Sequence, residues 1–172
     1  QDTKLALLSL LHCPNKKVVF THTATEAINL VLQGLDILDN FNIYISPFEH
    51  NAVTRVLNHI QNLHNVNVLQ LAVDENTLKF DLEKIKNQFI EKKPNLMIVS
   101  HASNVCGLIA PIEDIFTLAK KYSAITLADM AQTAGLVDCN IGLSVYDFAV
   151  FAGHKTLYGP TGVSGFVMNP EV

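Results

Sequence analysis

Cysteine is scarce in this sequence of 172 residues: there are only Cys13, Cys106 and Cys139. The number is odd and no pair stands in Cys-x-x-Cys spacing, which argues against a disulfide framework. We read all of them as reduced thiols of a cytoplasmic protein. No group of His, Cys, Asp and Glu has the spacing of zinc ligands, so no metal is expected. No apolar run is long enough for a membrane span. Gln1-Asp2-Thr3-Lys4 lacks the pattern of a secretion signal. No stripe of Lys or Arg stands out, and the net charge is −4 with a pI of about 5.9; both argue against a nucleic-acid partner. There is no Gly-x-Gly-x-x-Gly and no Walker loop, which weakens a nucleotide reading. Internal repeats, low-complexity segments and linkers are missing too.

What remains is a globular composition, with 49% hydrophobic and 16% charged residues. Residues 1–172 suffice for a single domain with a real core. The sequence has no initiator Met and stops at Asn169-Pro170-Glu171-Val172, just after a strand-like run. It is therefore expected to be a piece of a longer chain.

Apolar runs alternate with helical patterns. Leu5 to Leu11 reads as a short helix. Ala24 to Leu38 places Ile28, Val31, Leu32 and Leu35 on one helical face, behind a capping box at Thr23-Ala24-Thr25-Glu26. Glu49 to Gln61 reads as a third helix. Asp81 opens another, with Leu82, Ile85, Phe89 and Ile90 on its buried side and Pro94 at its end. Pro111 suits the first turn of a helix reaching about Tyr122. Strands are expected at Val18–Phe20, Ile43–Ile45, Val66–Leu71, Leu96–Val99, Ala124–Leu127, Phe148–Phe151 and Val163–Met168. The alternation predicts an α/β fold, a mostly parallel sheet flanked by helices on both faces.

In open α/β sheets ligands bind beyond the carboxyl ends of the strands. The segments that follow five of the strands are polar. They are Thr21-His22-Thr23-Ala24-Thr25, Ser46-Pro47-Phe48-Glu49-His50-Asn51, Ser100-His101-Ala102-Ser103-Asn104-Val105-Cys106-Gly107, the stretch with Asp129 and Gln132, and Gly153-His154-Lys155. In a parallel sheet they share one rim. Each also has a plainer reading. Thr23, Thr25, His50 and Asp129 can cap helices, and Asn104 with Gly107 can form an ordinary turn. Lys155 can be a solvated lysine, and Cys106 a small apolar filler. Gly153, Gly159, Pro160 and Gly162 suggest backbone crowded against something. His12, His22, His59 and His64 receive no role.

The rim combines a lysine amine with an aspartate. That pairing suits pyridoxal 5′-phosphate: the amine forms a Schiff base with the aldehyde, and a carboxylate keeps the pyridine nitrogen protonated. A helix N-terminus bearing hydroxyls, as at Thr23 and Thr25, is a ready phosphate site.

Taken together, Val-Val-Phe-Thr-His-Thr-Ala-Thr-Glu-Ala-Ile-Asn-Leu, Ser-Pro-Phe-Glu-His-Asn-Ala-Val, His-Ala-Ser-Asn-Val-Cys-Gly, Ala-Asp-Met-Ala-Gln-Thr-Ala-Gly and Ala-Gly-His-Lys-Thr-Leu-Tyr-Gly-Pro-Thr-Gly resemble the class V aminotransferase family. Within it they look most like the cysteine desulfurases and their relatives. The resemblance implies the large-domain portion of a fold type I transferase dependent on pyridoxal 5′-phosphate, with a smaller second domain beyond residues 1–172, assembled as a homodimer with shared active sites. It implies two catalytic residues, Lys155 and His50. Lys155 would carry the cofactor and shuttle protons; His50 would stack on the ring and assist. Asp129 would pair with the ring nitrogen. Gln132 and Asn104 would sit near the phenolic oxygen, with Asn104 also facing the substrate. Ala24, Thr25 and His154 would hold the phosphate. The implied reaction takes sulfur from L-cysteine, leaving alanine and an enzyme persulfide that serves a sulfur-acceptor protein. An aminotransferase or a selenocysteine lyase shares these motifs, and a non-catalytic truncated domain is a further alternative.

The sequence also departs from that pattern. The desulfurase cysteine and the substrate-carboxylate arginine lie in the family well beyond the lysine, and the sequence runs only 17 residues past Lys155. None of Cys13, Cys106 or Cys139 matches that cysteine, so the chain alone is expected to be inactive. Thr23 stands where glycine is usual, which predicts a stiffer phosphate turn. Ala152 replaces a hydroxyl residue, an expected loss of roughly 1–2 kcal/mol in cofactor affinity. Thr156 is an extra residue beside the Leu-Tyr-Gly-Pro motif, as in a less-characterised branch whose substrate the sequence does not assign.

Overall fold

A computed structural model describes residues 2–172. Five helices are present: α1 (Asp2–Leu10), α2 (Ala24–Gly34), α3 (Asn51–Leu63), α4 (Leu82–Glu91) and α5 (Ile112–Lys120). Seven strands form one sheet: β1 (Lys17–Thr21), β2 (Asn42–Ile45), β3 (Asn67–Gln70), β4 (Leu96–Ser100), β5 (Ile125–Asp129), β6 (Phe148–Ala152) and β7 (Ser164–Met168). The strand order is β1-β7-β6-β5-β4-β2-β3. β7 is antiparallel to both its neighbours, and the pairs from β6 to β3 are parallel. The expected mostly parallel sheet is therefore present, with β7 alone reversed.

Both faces of the sheet are covered. Leu96 and Ile98 of β4 pack into one core with Ile28, Val31 and Leu32 of α2 and Val53, Val56 and Leu57 of α3. Met97 and Val99 point the other way, to Ile85 and Phe89 of α4 and Ile115 and Phe116 of α5. This alternation follows from the pleat. It explains why all five residues of β4 are buried and why the sequence reads there as a continuous apolar run. Each such side chain contributes about 1.5–3 kcal/mol on burial.

Several boundaries differ from the sequence expectation. α2 stops at Gly34, and Leu35 turns extended at φ −83°, ψ 139°, so the helix does not reach Leu38; glycine ends it because it costs more backbone entropy in a helix. α3 begins at Asn51 rather than Glu49, because His50 adopts an extended conformation and caps the helix. Ile90 does not face the core: it is 61% exposed, while Ile85 and Phe89 are buried. One residue past Phe89, it is rotated by about a hundred degrees off the buried stripe. α5 ends at Lys120, and Ser123 turns left-handed at φ 60°. No helix among the described residues is long and apolar enough to cross a membrane.

Candidate active site

The strand order changes direction between β2 and β4. The chain leaves β2 for α3 on one face of the sheet and leaves β4 for α5 on the other. Such a switch point opens a crevice at the carboxyl ends of the strands. β1, β2, β4, β5 and β6 all point to this end. The five polar segments therefore share one rim.

A cleft of about 260 Å³ lies there, lined by Ala24, Thr25, His50, Asn104, Asp129, Gln132, His154 and Lys155, together with Thr23, Ser100 and an apolar set including Ile28, Ala102, Ala131 and Ala152. All eight candidate site residues thus meet in one cavity. Of the plainer readings, His50 and Thr23 do cap helices, whereas Thr25 lies within α2 and only a turn follows Asp129. His50 Nδ1 accepts the Ala52 amide at 3.1 Å, and Asp129 Oδ1 accepts the Ala131 amide at 3.0 Å. Asn104 lies in a turn closed by the Gly107 amide on the Ser103 carbonyl at 3.0 Å, with Gly107 at φ 70°. Capping and turn formation set the direction of these side chains; they do not withdraw them from the cleft.

Asp129 is 7% exposed. Burial pushes its carboxyl above the usual range, while the Ala131 amide, Lys155 and His50 pull it back. Among the described residues that amide is its one hydrogen-bond donor. A buried carboxylate with so little internal compensation favours a cationic N–H partner.

The start of α2 lines the same cleft. Thr23 Oγ1 accepts the Glu26 amide at 3.0 Å, and the Glu26 carboxylate accepts the His22 amide at 2.8 Å. The capping box is therefore real, with its return bond one residue further out than the standard pattern. Thr23 lies at φ −139°, ψ 155°, ordinary extended backbone. The turn does not call for the positive φ that glycine would supply, so threonine causes no strain there.

Lys155 is exposed on the loop between β6 and β7. A Cβ on Gly153 would stand 2.5 Å from the Val163 carbonyl oxygen, and one on Gly159 3.0 Å from the Gly153 carbonyl. At Gly153 and Gly159 the crowding is thus the loop packed on itself, whereas Gly162 has open space around it and serves instead a left-handed turn at φ 82°. Thr156 Oγ1 donates to the Ala134 carbonyl at 2.7 Å, which ties the lysine loop to the turn after Gln132. Cys106 is exposed, so it is no apolar filler: the turn at Ser103–Gly107 holds it out to solvent. The Ser103 hydroxyl draws its thiol below the ordinary value.

Sequence reasoning gave no role to three residues that build this rim. Glu49 sits behind the cleft wall formed by Ser100, bonded to its amide at 2.6 Å and its hydroxyl at 2.8 Å. Burial pushes the Glu49 carboxyl up to about 7 against the hydrogen bonds from Ser46 and Ser100. His101 and Thr133, both buried, meet behind the loops that carry Asn104 and Gln132. Their positions beside Ser100 and Gln132 were the available signal, but strand register is needed to see that they face each other. Among the described residues no group of three or more His, Cys, Asp or Glu could hold a metal ion.

The comparisons with known proteins agree with this geometry. The family model described as Aminotransferase class-V matches residues 1–171. A probable cysteine desulfurase of Pyrococcus abyssi is 28% identical over 173 aligned residues, covering 99% of this chain and 42% of that protein. A cysteine desulfurase of Escherichia coli (strain IAI1) is 35% identical over 153 residues, covering 86% and 36% respectively. The apo structure of a cysteine desulfurase from Thermococcus onnurineus NA1 superposes with a TM-score of 0.90 at 26% identity, covering 99% of this chain and 42% of that one. The chain thus spans about two fifths of the length of these relatives.

Proposed function

The chain belongs to the class-V aminotransferase family, and from that membership we propose that it is the large, cofactor-binding domain of a pyridoxal 5′-phosphate enzyme that removes sulfur from L-cysteine, giving alanine and an enzyme persulfide. The observation that carries this reading is the meeting of Lys155, Asp129 and the α2 N-terminus on one cleft. These residues fit the cofactor: an under-bonded buried carboxylate suits a ring N–H, and a helix start bearing Thr25 suits a phosphate. When bound, the group supplies an aldehyde and an electron-withdrawing ring that spreads charge from the substrate α-carbon.

The chain's own residues do the rest. Lys155 Nζ offers the amine that holds the aldehyde and afterwards moves the proton at the α-carbon. Asp129 holds a proton on the ring nitrogen. With Nδ1 engaged as an acceptor of the Ala52 amide, His50 would offer its Nε2–H to the group. Gln132 and Asn104, which line the same cleft, would offer amide groups to the cofactor's phenolic oxygen. Ala24, Thr25 and His154 hold the phosphate. Cys13 is buried, Cys139 is hydrogen-bonded to Tyr146 at 2.9 Å, and Cys106, though exposed, does not line the cleft; in line with the family pattern, we take the attacking thiol from outside residues 1–172. A homodimer and a protein sulfur acceptor complete the picture. The free cysteines support a reducing compartment, the cytoplasm.

Adding pyridoxal phosphate to the protein, reducing with borohydride and mapping the modified peptide tests the cofactor assignment. Label at Lys155 is the expected result. A folded full protein without label there overturns it and favours a non-catalytic domain. Product analysis with L-cysteine then distinguishes alanine and persulfide from the keto acid of a transaminase.

A further inference from the structure

The end of β4 anchors both neighbouring loops through consecutive residues. Ser100 is held by Glu49 on the β2 side, through both carboxylate oxygens, at 2.6 Å and 2.8 Å. His101 is held on the β5 side: its amide reaches the Asp129 carbonyl at 2.9 Å and its ring reaches Thr133 at 2.9 Å. Ser100 and Asp129 are partners in the β4–β5 register. Glu49, one residue before His50, is therefore separated from Asp129 by a single strand, β4. Its carboxylate bridges the strand switch point, tying the β2–α3 loop to the end of β4.

We propose that Glu49 is a positioning residue for the cofactor ring: its grip on Ser100 fixes His50 over the cleft, and its charge reinforces that of Asp129. This rests on the pyridoxal-phosphate reading above. Both carboxylate oxygens of Glu49 are engaged by Ser100, the residue that pairs with Asp129 in the sheet register. Among the charged groups of the described residues, Asp129 on β5 is near enough to raise the Glu49 carboxyl, and Lys155 and His50 in turn lower that of Asp129. A negative charge at Glu49 favours the protonated form of any cation held by Asp129. Burial is the main reason that Glu49 holds its own proton tightly, and the Asp129 charge adds to it, the converse of the same coupling.

The test uses the full protein loaded with pyridoxal phosphate, and follows the visible absorption of the bound cofactor against pH. Glu49→Gln keeps an acceptor for the Ser100 amide and removes the charge. Its titration midpoint is expected to fall by about half a pH unit or more. Ser100→Ala, which removes only one donor to the carboxylate, is expected to shift the midpoint the same way by less. Glu49→Ala is expected to add a loss of cofactor circular dichroism in the visible, since His50 is then unanchored. An unchanged midpoint in Glu49→Gln overturns the proposal, whether or not the variant melts earlier, and stands even if Glu49→Ala does not fold. If the unmodified protein shows no borohydride label at Lys155, it is the cofactor assignment that fails instead.

Discussion

His101 and Thr133 meet at 2.9 Å, Nδ1 to Oγ1, behind the two loops that bring Asn104 and Gln132 to the cleft. Both are buried, so neither can turn to water if the other is lost.

Replacing Thr133 by Val keeps the shape and removes the hydroxyl. The expected cost is about 1–3 kcal/mol, from an imidazole nitrogen left without a partner, measured by chemical denaturation. Burial holds His101 below its ordinary value, against the pull of Glu113, so the unfolded chain binds its proton first. The His101 contribution is present above the unfolded value of about 6.5 and is lost as pH falls below it. His101→Gln is expected to lessen this acid sensitivity.

Glu49 acts with the opposite sign. Its carboxyl is raised to about 7 from 4.5, chiefly by burial, so the folded state binds the proton more tightly. Stability is then greatest below 4.5 and declines as pH rises from there towards 7. The difference in unfolding free energy between Glu49→Gln and the parent, followed from about pH 4 to about pH 8, should show that decline in the parent alone. A flat difference would mean that the carboxyl titrates normally.

Ser164 Oγ is buried with no hydrogen-bond partner among the described residues, and its residue pairs with Ala152 across β6 and β7. Removing an unsatisfied hydroxyl relieves its desolvation cost. Ser164→Ala is expected to be neutral or to stabilise by up to about 1 kcal/mol. Ala152→Ser places a second hydroxyl on the neighbouring strand and the same face; it should destabilise less beside the native Ser164 than in the Ser164→Ala background. Thermal unfolding of the single and double variants decides both points.

Gly153→Ala sets a methyl 2.5 Å from the Val163 carbonyl. The backbone must move, at about 1–3 kcal/mol, and Lys155 moves with it. Loss of borohydride labelling beyond the loss of stability is the expected signature.

The thiols should separate by reactivity. Burial raises Cys13 to about 11 despite Lys16, and it also raises Cys139, whereas Cys106 is exposed and drawn down by Ser103. Iodoacetamide at neutral pH should modify Cys106 first and Cys13 only on unfolding; peptide mapping over time checks the order.

Much of this was legible beforehand, for stated reasons. β4, β5 and β6 are apolar on both faces because both faces are covered, so the runs at Leu96, Ala124 and Phe148 stood out. The rim residues stood out because each follows such a run. The misjudged features depend on geometry that no window of sequence contains. Ile90 looks like its neighbour Phe89 until the helix is set against α5. Glu49 looks helical until Ser100 claims its carboxylate. Gly153 marks a close approach, but only the β6–β7 pairing shows that Val163 is what it approaches.

That pairing has a mechanical meaning. Because β7 returns alongside β6, residues 153–163 start and finish on a single rung, Ala152 opposite Ser164. The lysine rides on a noose whose knot is the sheet. Lengthening the noose by a residue would alter how far the amine can reach. It leaves every strand in step with its neighbour. Reach and registry are thus independent variables in this architecture, and the first can drift while the second stays fixed.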